Sequence, residues 1–122
     1  MICGSQKKQV IRWPLRSHTC GTQGTTVAGG KGRGDRLNQL DHPYYVCVDQ
    51  NYAIYVSDNK NDGVMKWSEA ASEGTVVAGF RGQGNDLTQR SDPLGVIVDG
   101  VGNVYVADAG NVRVVRWNKG TV

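Results

Sequence analysis

The order of apolar and polar positions along this chain repeats with a period of 50 residues. Residues 24–67 align with residues 74–117 without a gap, and 19 of the 44 aligned positions are identical. A shorter third copy starts at Val10, where the string VIRW matches VMKW at residues 64–67 and VVRW at residues 114–117. A fixed period of this length indicates one small structural unit that is stacked several times.

Each full period contains four short runs of β-branched and aromatic residues, bounded by Gly, Asn and Asp. In the first full period these runs predict strand a at residues 44–49, strand b at 53–57, strand c at 64–67 and strand d at 75–78. The connections are too short to hold helices, so the four strands are expected to form an antiparallel meander. Strand a is apolar at nearly every position, which predicts that both of its faces are buried.

A small sheet that is buried on both faces needs a similar sheet on each side, and sheets repeated in this way are the blades of a β-propeller. The predicted fold is all-β, a partial β-propeller of about two and a half four-stranded antiparallel blades. Residues 10–30 would form a half blade of strands c and d, residues 43–79 a blade of strands a to d, and residues 93–122 strands a to c with a truncated strand d. Each terminal sheet would then expose an apolar face, so we expect either self-association or additional blades that close the ring.

The residues of the motif resemble those of NHL repeats. The second copy carries the resemblance in PLGVIVD at residues 93–99, GNVYVAD at 102–108 and NVRV at 111–114. The first copy is more degenerate, with PYYVCVD at residues 43–49, IYVSD at 54–58 and NDGV at 61–64. It departs from the pattern where Gly63 replaces the arginine found at Arg113 and where Tyr45 replaces the glycine found at Gly95.

The NHL resemblance, which covers roughly residues 10–122, implies a propeller that binds proteins, RNA or peptides. NHL propellers often form the substrate-recognition end of tripartite-motif ubiquitin ligases. The expected function is therefore a non-catalytic interaction scaffold for partner or substrate recognition within a ubiquitin-ligase-type protein. The alternative is a fragment of a propeller enzyme of the metal-dependent lyase or lactonase type, because some relatives of NHL proteins are enzymes.

Few side chains in the sequence are candidates for catalysis. His18 and His42 are the two histidines, neither recurs in the repeat, and a catalytic zinc site needs three converging ligands. Asp49, Asp58 and their repeats Asp99 and Asp108 stand at strand ends, where the commoner use of a carboxylate is to accept hydrogen bonds from turn amides. We assign no catalytic residue, metal ligand or cofactor, and expect that this chain alone is not an enzyme.

The segment from residue 58 to residue 69 matches four positions of an EF-hand calcium loop. Lys60 places a cation at a ligand position, and the segment runs into strand c instead of a helix. We predict a turn here that does not bind calcium.

Charge, hydropathy and cysteine content limit the classes of partner and the cellular location that we expect. Fourteen Lys and Arg against eleven Asp and Glu give +3, and residues 1–36 alone carry +6, so the remainder carries −3. Only the N-terminal third is thus basic, and the predicted long loops and b–c turns together carry six Lys and Arg against seven Asp. A phosphate-binding platform needs a clear positive excess, so nucleic acid is not the expected partner. No apolar run reaches the ~18 residues of a membrane helix, and we expect no membrane association. Three cysteines without metal-ligand spacing predict reduced thiols and a cytoplasmic location, with Cys47 as an apolar filler.

Loop geometry indicates where a protein or peptide would bind. In an up-and-down blade the d–a loops, residues 30–43 and 80–93, share one end of the molecule with the b–c turns, residues 58–63 and 108–112. These long loops differ chemically between repeats, and loops on a rigid scaffold are frequent binding surfaces. The predicted binding residues are the cations of that end: Lys31, Arg33, Arg36, Lys60, Arg81 and Arg90.

A cation precedes the tryptophan of each repeat, as Arg12, Lys66 and Arg116. One interpretation is a cation–π contact with the tryptophan of the next blade. The other is a surface side chain that lays its stem over apolar neighbours.

Overall fold

The computed structural model of the protein describes residues 2–4, 8–12, 24–61, 63–79 and 93–119. These residues form ten β-strands in three antiparallel sheets. Two short 3-10 turns, Asn59–Asn61 and Ala109–Asn111, each connect two neighbouring strands of one sheet. The fold is therefore all-β, as predicted from the sequence. Within this described part, no helix has the length and apolarity of a membrane span.

The central sheet is the four-stranded meander predicted from the first full period. Its strands are β4 (Pro43–Val48), β5 (Ile54–Asp58), β6 (Gly63–Trp67) and β7 (Thr75–Gly79), hydrogen-bonded in that order. Each boundary lies within one residue of the predicted one. The sequence alone predicted these boundaries because the apolar runs are short and the turns between them are tight.

The third sheet repeats the first three strands of the central sheet. It contains β8 (Pro93–Val98), β9 (Val104–Asp108) and β10 (Arg113–Trp117). Tyr105 pairs with Arg116 as Tyr55 pairs with Lys66, so the register is preserved across the 50-residue period. The predicted truncated strand d at residues 120–122 lies outside the described residues.

The first sheet contains β1 (Ile2–Gly4), β2 (Gln9–Arg12) and β3 (Thr25–Gly29), in that order. β2 and β3 correspond to the predicted strands c and d of the half blade. β1 was not predicted, because three residues are too few to show a period; it is placed by pairing with β2, with Cys3 opposite Val10.

Two apolar clusters lie on the two faces of the central sheet. The N-terminal cluster joins it to the first sheet and to one loop residue, with Val10, Leu40, Val56, Met65 and Trp67 at its centre. The C-terminal cluster joins it to the third sheet, and its central members are Tyr55, Val64, Val96, Val106 and Trp117. The central sheet is thus covered on both faces, as the sequence predicted.

The prediction that strand a is buried on both faces is wrong. On β4, Tyr44, Tyr45 and Val48 are 62%, 51% and 45% exposed, whereas every residue of β5 is buried. Among the described strands, β4 has a hydrogen-bonded neighbour on one side only and is an edge strand, while β5 lies between β4 and β6. Hydrophobicity along the chain does not distinguish an edge strand from an inner strand.

Candidate functional site

The recurring aspartates after β4 and β8 hold the following turns together. The Asp49 carboxylate accepts hydrogen bonds from the amides of Asn51 and Ala53, at 2.8 and 3.0 Å, and from the Tyr55 hydroxyl at 3.0 Å. Asp99 does the same one period later, accepting from the Asn103 amide at 2.9 Å. The predicted role of these residues as turn caps is what the structure shows.

These hydrogen bonds stabilise the charged form of each carboxylate. Although partial burial opposes the effect, the amides of Ala53 and Asn51 hold the pKa of Asp49 below its ordinary value. The amide of Asn103, helped by other donors of the same turn, lowers the pKa of Asp99 to about 2. A general acid would need a pKa shifted in the opposite direction, towards neutrality.

Asp58, at the end of β5, is fully buried and joins the b–c turn to the d–a loop. Its carboxylate accepts hydrogen bonds from the amide of Asp41 at 2.9 Å, from the amide of His42 at 2.8 Å and from Asn61 Nδ2 at 2.7 Å. Burial raises the pKa of Asp58, and these donors oppose the rise. The buried charge is thereby compensated by groups from two separate segments of the chain.

The loop at residues 30–42 is an ordered part of the fold. Asn61 Nδ2 also donates to the Gly34 carbonyl at 2.9 Å, and the Asn59 amide donates to the His42 carbonyl at 2.9 Å. Leu40 is fully buried in the N-terminal cluster and anchors the loop against the central sheet. Sequence reasoning missed Leu40, because Arg90 occupies the equivalent position of the repeat.

The loop is not confined to one end of the sheet, which corrects the predicted geometry. In β6 and β7, Gly63 pairs with Gly79 at one end and Lys66 pairs with Thr75 at the other. Next to Thr75, the Gly74 amide donates to the carbonyl of the loop residue Leu37 at 2.7 Å. The loop therefore contacts the b–c turn at Gly34 and finishes at Asp58, while Leu37 reaches the opposite end of β7.

The predicted binding residues that the structure describes are exposed. Lys31, Arg36 and Lys60 extend into solvent from the loop and the b–c turn. Arg33 is also exposed, but its Nε lies 2.7 Å from Asp41 Oδ1, and this ion pair takes up part of its charge. Arg81 and Arg90 lie outside the described residues.

A cleft of about 280 Å³ lies between the central and third sheets, at the end that carries the a–b turns. The turns after Asp49 and Asp99 form part of its wall, together with Lys66, Lys119 and Trp117. Sequence reasoning did not predict this cleft, because its shape depends on how two sheets pack.

The cation of β6 contacts its own sheet. Lys66 Nζ lies 5.6 Å from the centre of the Tyr55 ring, and Tyr55 is its partner across the strand pair. The predicted contact with the tryptophan of the next blade is therefore not the cation–π contact that the structure forms here.

Groups that could perform chemistry are few in the described part of the chain. Burial, followed by the charge of Asp49, raises the pKa of the Cys47 thiol to about 11, so this cysteine is a poor nucleophile at neutral pH. The described residues contain no group of three His, Cys, Asp or Glu side chains that could hold a metal ion. Arg113 Nε lies 3.0 Å from the buried carboxylate of Asp108, an ion pair that Gly63 does not provide in the central sheet.

Comparison with known proteins identifies a similar fold and no family. No family model matches the chain, and no curated protein matches it. Among solved structures, a putative phosphatase from Bacteroides thetaiotaomicron VPI-5482 is similar, with a TM-score of 0.59 and 20% sequence identity. The alignment covers 76% of this chain and 26% of that one, so this chain spans about a quarter of the length of its structural neighbour. At this identity the likeness shows the fold alone.

Proposed function

We propose that the chain is a non-catalytic scaffold of the NHL β-propeller type that binds a protein or peptide. Three consecutive antiparallel sheets with a 50-residue period, packed face to face, support the propeller part of this proposal. The four-stranded central sheet is one complete blade in this interpretation, and the first and third sheets are incomplete blades.

The main observation in favour of a non-catalytic function is that the recurring aspartates accept hydrogen bonds from turns and loops of the fold. Asp49, Asp58 and Asp99 accept hydrogen bonds that hold turns and loops, so the recurring polar residues build the scaffold. The exposed cations Arg36 and Lys60 are not part of that recurring set, since aspartate and glycine stand at the aligned positions. Side chains that vary on a fixed framework are suited to recognition.

The anchored loop gives these cations a defined arrangement. Its fixed points are the Asp58 carboxylate and the buried Leu40 side chain, and Lys31, Arg33 and Arg36 extend from the segment between β3 and Leu40. A surface that is ordered before binding loses less conformational entropy on association. Its exposed charges are complementary to an acidic segment and would act mainly on the association rate.

The wider context follows from the NHL resemblance. We propose that the scaffold serves substrate recognition in a ubiquitin-ligase-type protein of the cytoplasm. The complete reading frame tests this, because a RING domain would bring eight Cys and His zinc ligands. A frame without such a domain removes the ligase proposal and leaves the binding function intact. The propeller-enzyme alternative has no specific observation in its favour, and metal analysis of the purified protein would detect the ion that it needs.

Selection of peptides tests the binding function directly. The purified chain, immobilised and challenged with a random peptide library, is expected to enrich acidic peptides. The selected peptide should bind a Lys31→Ala/Arg36→Ala/Lys60→Ala variant about tenfold or more weakly, which corresponds to a loss of about 1.4 kcal/mol or more over the three charged contacts. Arg33 is left unchanged because it pairs with Asp41.

A Lys66→Ala/Lys119→Ala variant is the matched control, because it removes two cations from the cleft between the central and third sheets, outside the loop and the b–c turn. Its affinity for the selected peptide should equal that of the wild type. If this control loses binding and the triple variant keeps it, the binding surface is the cleft. If no peptide is enriched, the proposal of a peptide-binding scaffold is wrong.

A further inference from the structure

The cleft between the central and third sheets has an apolar floor. Tyr55, Val104 and Trp117 are buried lining residues, and Val77 and Val98 are half-buried ones; these five side chains form the floor. The volume of the cleft, about 280 Å³, lies near the lower limit of the sites that hold small organic molecules. A ligand with a small apolar body therefore fits this space.

The two carboxylates that line the cleft are already occupied by the protein. Asp49 accepts hydrogen bonds from the amides of Asn51 and Ala53 and from the Tyr55 hydroxyl. Asp99 accepts from three amides of its own turn, from an asparagine side chain and from a tyrosine hydroxyl. A carboxylate has about four acceptor positions, so little of this capacity is left for a donor on a ligand.

The two lysines that line the cleft keep their donors for a ligand. Lys66 Nζ lies over the Tyr55 ring, 5.6 Å from its centre. The stem of Lys119 lies beside Gly102, where an added Cβ would come within 3.1 Å of Lys119 Cδ. Within the described ranges, neither ammonium group forms an ion pair with a carboxylate. The charged groups that can still donate in the cleft are therefore cationic.

We propose that this cleft is a second binding site, which takes a small monocarboxylate with a flat apolar body. The body lies on the floor and displaces water from apolar surface, and the carboxylate accepts hydrogen bonds from Lys66 and Lys119. Two lysines and two aspartates make the lining nearly neutral as a whole, which favours a single negative charge over a polyanion. The loop cations do not line this cleft, so the proposal goes beyond the peptide-binding function and does not depend on it.

Three probes of similar shape and different charge test the proposal: 2-naphthoate, 2-naphthamide and 2-naphthylmethylammonium. In an NMR titration of the isotope-labelled full chain, 2-naphthoate should bind with a dissociation constant of about 1 mM, as expected for a ligand of ~13 non-hydrogen atoms. The neutral and cationic probes should bind at least about fivefold more weakly, because they cannot accept from two ammonium groups in the same way. Amide signals of Val77, Gly102 and Asn118 should shift, and those of Lys31 and Arg36 should not.

A Lys66→Gln/Lys119→Gln variant removes both charges and keeps polar side chains. Its affinity for 2-naphthoate should fall about fivefold or more, to the level of 2-naphthamide, while its affinity for 2-naphthamide stays unchanged. Circular dichroism checks its folding, and Lys119→Gln alone, at an exposed position, gives a second folded variant with a smaller loss. Lys31→Ala/Arg36→Ala/Lys60→Ala is the control and should bind 2-naphthoate as the wild type does.

Three results would overturn the proposal. The first is the absence of shifts at the cleft with ~10 mM 2-naphthoate, about ten times the expected dissociation constant. The second is equal affinity for 2-naphthoate and 2-naphthamide, which would remove the role of the lysines. The third is a selected acidic peptide that needs Lys66 and Lys119 while 2-naphthoate does not bind, because the cleft would then belong to the peptide surface.

Discussion

At the scale of the residue, the aspartates fall into two groups with opposite electrostatic behaviour. Asp49 and Asp99 lie in turns where several donors favour the charged form, so the pKa of each is lowered. Asp58 is buried, and its pKa is raised despite its three donors. The same residue type at the ends of two different strands therefore responds to pH according to its burial.

The lowered pKa of an aspartate such as Asp99 should be detectable in the pH dependence of the free energy of unfolding. The pKa of Asp99 is about 2 in the folded protein against 3.8 for an unperturbed Asp, so the unfolded chain binds more protons in this window. Its contribution to stability is complete above about pH 4 and is lost as the pH falls towards 2. Urea denaturation of the wild type and of Asp99→Asn at several pH values should show a weaker acid dependence in the variant. Asp58 affects stability in the opposite direction. Because its pKa is raised in the folded protein, its contribution to the free energy of unfolding decreases as the pH rises above 3.8. An equal acid dependence in both proteins would contradict the assignment to Asp99.

Replacement of Asp58 should destabilise the fold and free the loop. In Asp58→Ala, the amides of Asp41 and His42 and the side-chain amide of Asn61 lose their acceptor. Leaving partly buried donors without partners should cost about 2 kcal/mol or more of unfolding free energy. Denaturation measures the loss, and hydrogen exchange at Asp41 and His42 should become faster. Asp35→Ala, at an exposed position of the same loop, should change stability by less than about 0.5 kcal/mol.

At the scale of the element, the b–c turn illustrates how a sequence motif is decided by its context. Asn59–Asn61 form a 3-10 turn between β5 and β6, and the Asp58 oxygens accept hydrogen bonds from the protein itself. Strands stand where an EF-hand has helices, and Lys60 is exposed at a ligand position. This arrangement stabilises the loop without an ion.

Calcium titration checks this interpretation. Isothermal calorimetry should detect no binding with a dissociation constant of ~10 µM or tighter, the weak limit of a sensor site. Asp62 lies outside the described residues, and Asp62→Ala serves as the diagnostic variant. Saturable calcium binding that disappears in Asp62→Ala would show that the turn is a calcium site.

The junction between β3 and the loop depends on a glycine. Gly29 has φ +69°, and a Cβ added there would meet the Lys8 carbonyl and approach Leu40 Cδ1 to 2.9 Å. Gly29→Ala should therefore cost about 1–3 kcal/mol, measured by denaturation. Gly100→Ala is the matched control, because its nearest neighbour would be Gln50 Nε2 at 3.9 Å. Similar stabilities of the two variants would mean that the loop adapts without strain.

At the scale of the whole molecule, the central sheet belongs to both apolar clusters. Met65 on one side of it and Val64 on the other are fully buried, and they are adjacent in β6. Disruption of either cluster removes one of the two packed faces of the same sheet. The three sheets are therefore expected to unfold together.

Core truncations on the two sides test this cooperativity. Met65→Ala in the N-terminal cluster should cost about 2–5 kcal/mol, and Val106→Ala in the C-terminal cluster about 2 kcal/mol. Each should shift one common transition, seen by both tryptophan fluorescence and circular dichroism. Val101→Ala, at a position 71% exposed, should leave the midpoint nearly unchanged. Separate transitions by the two probes would show that the sheets unfold independently.

The sequence by itself determined the features that depend on neighbouring residues. Apolar runs and turn residues placed the strands of the central sheet, and the 50-residue period carried the same register from Tyr55 to Tyr105. The turn role of Asp49 was also predictable, because a carboxylate directly after a strand lies within reach of the next amides. These interactions span few residues, so a local pattern contains them.

Only the tertiary structure decided which of these surfaces meet. Leu40 is buried because a loop folds back on another sheet, and the loop tip crosses to Gly74, a contact between residues far apart in the chain. Tyr44 is exposed because β4 is an edge strand, although its sequence is as apolar as that of an inner one. The cleft beside Lys66 has walls from both the central and the third sheet, so it exists only where the two sheets come together. Each of these features depends on the relative placement of whole elements, which is set by packing and not by the order of apolar and polar residues within any one of them.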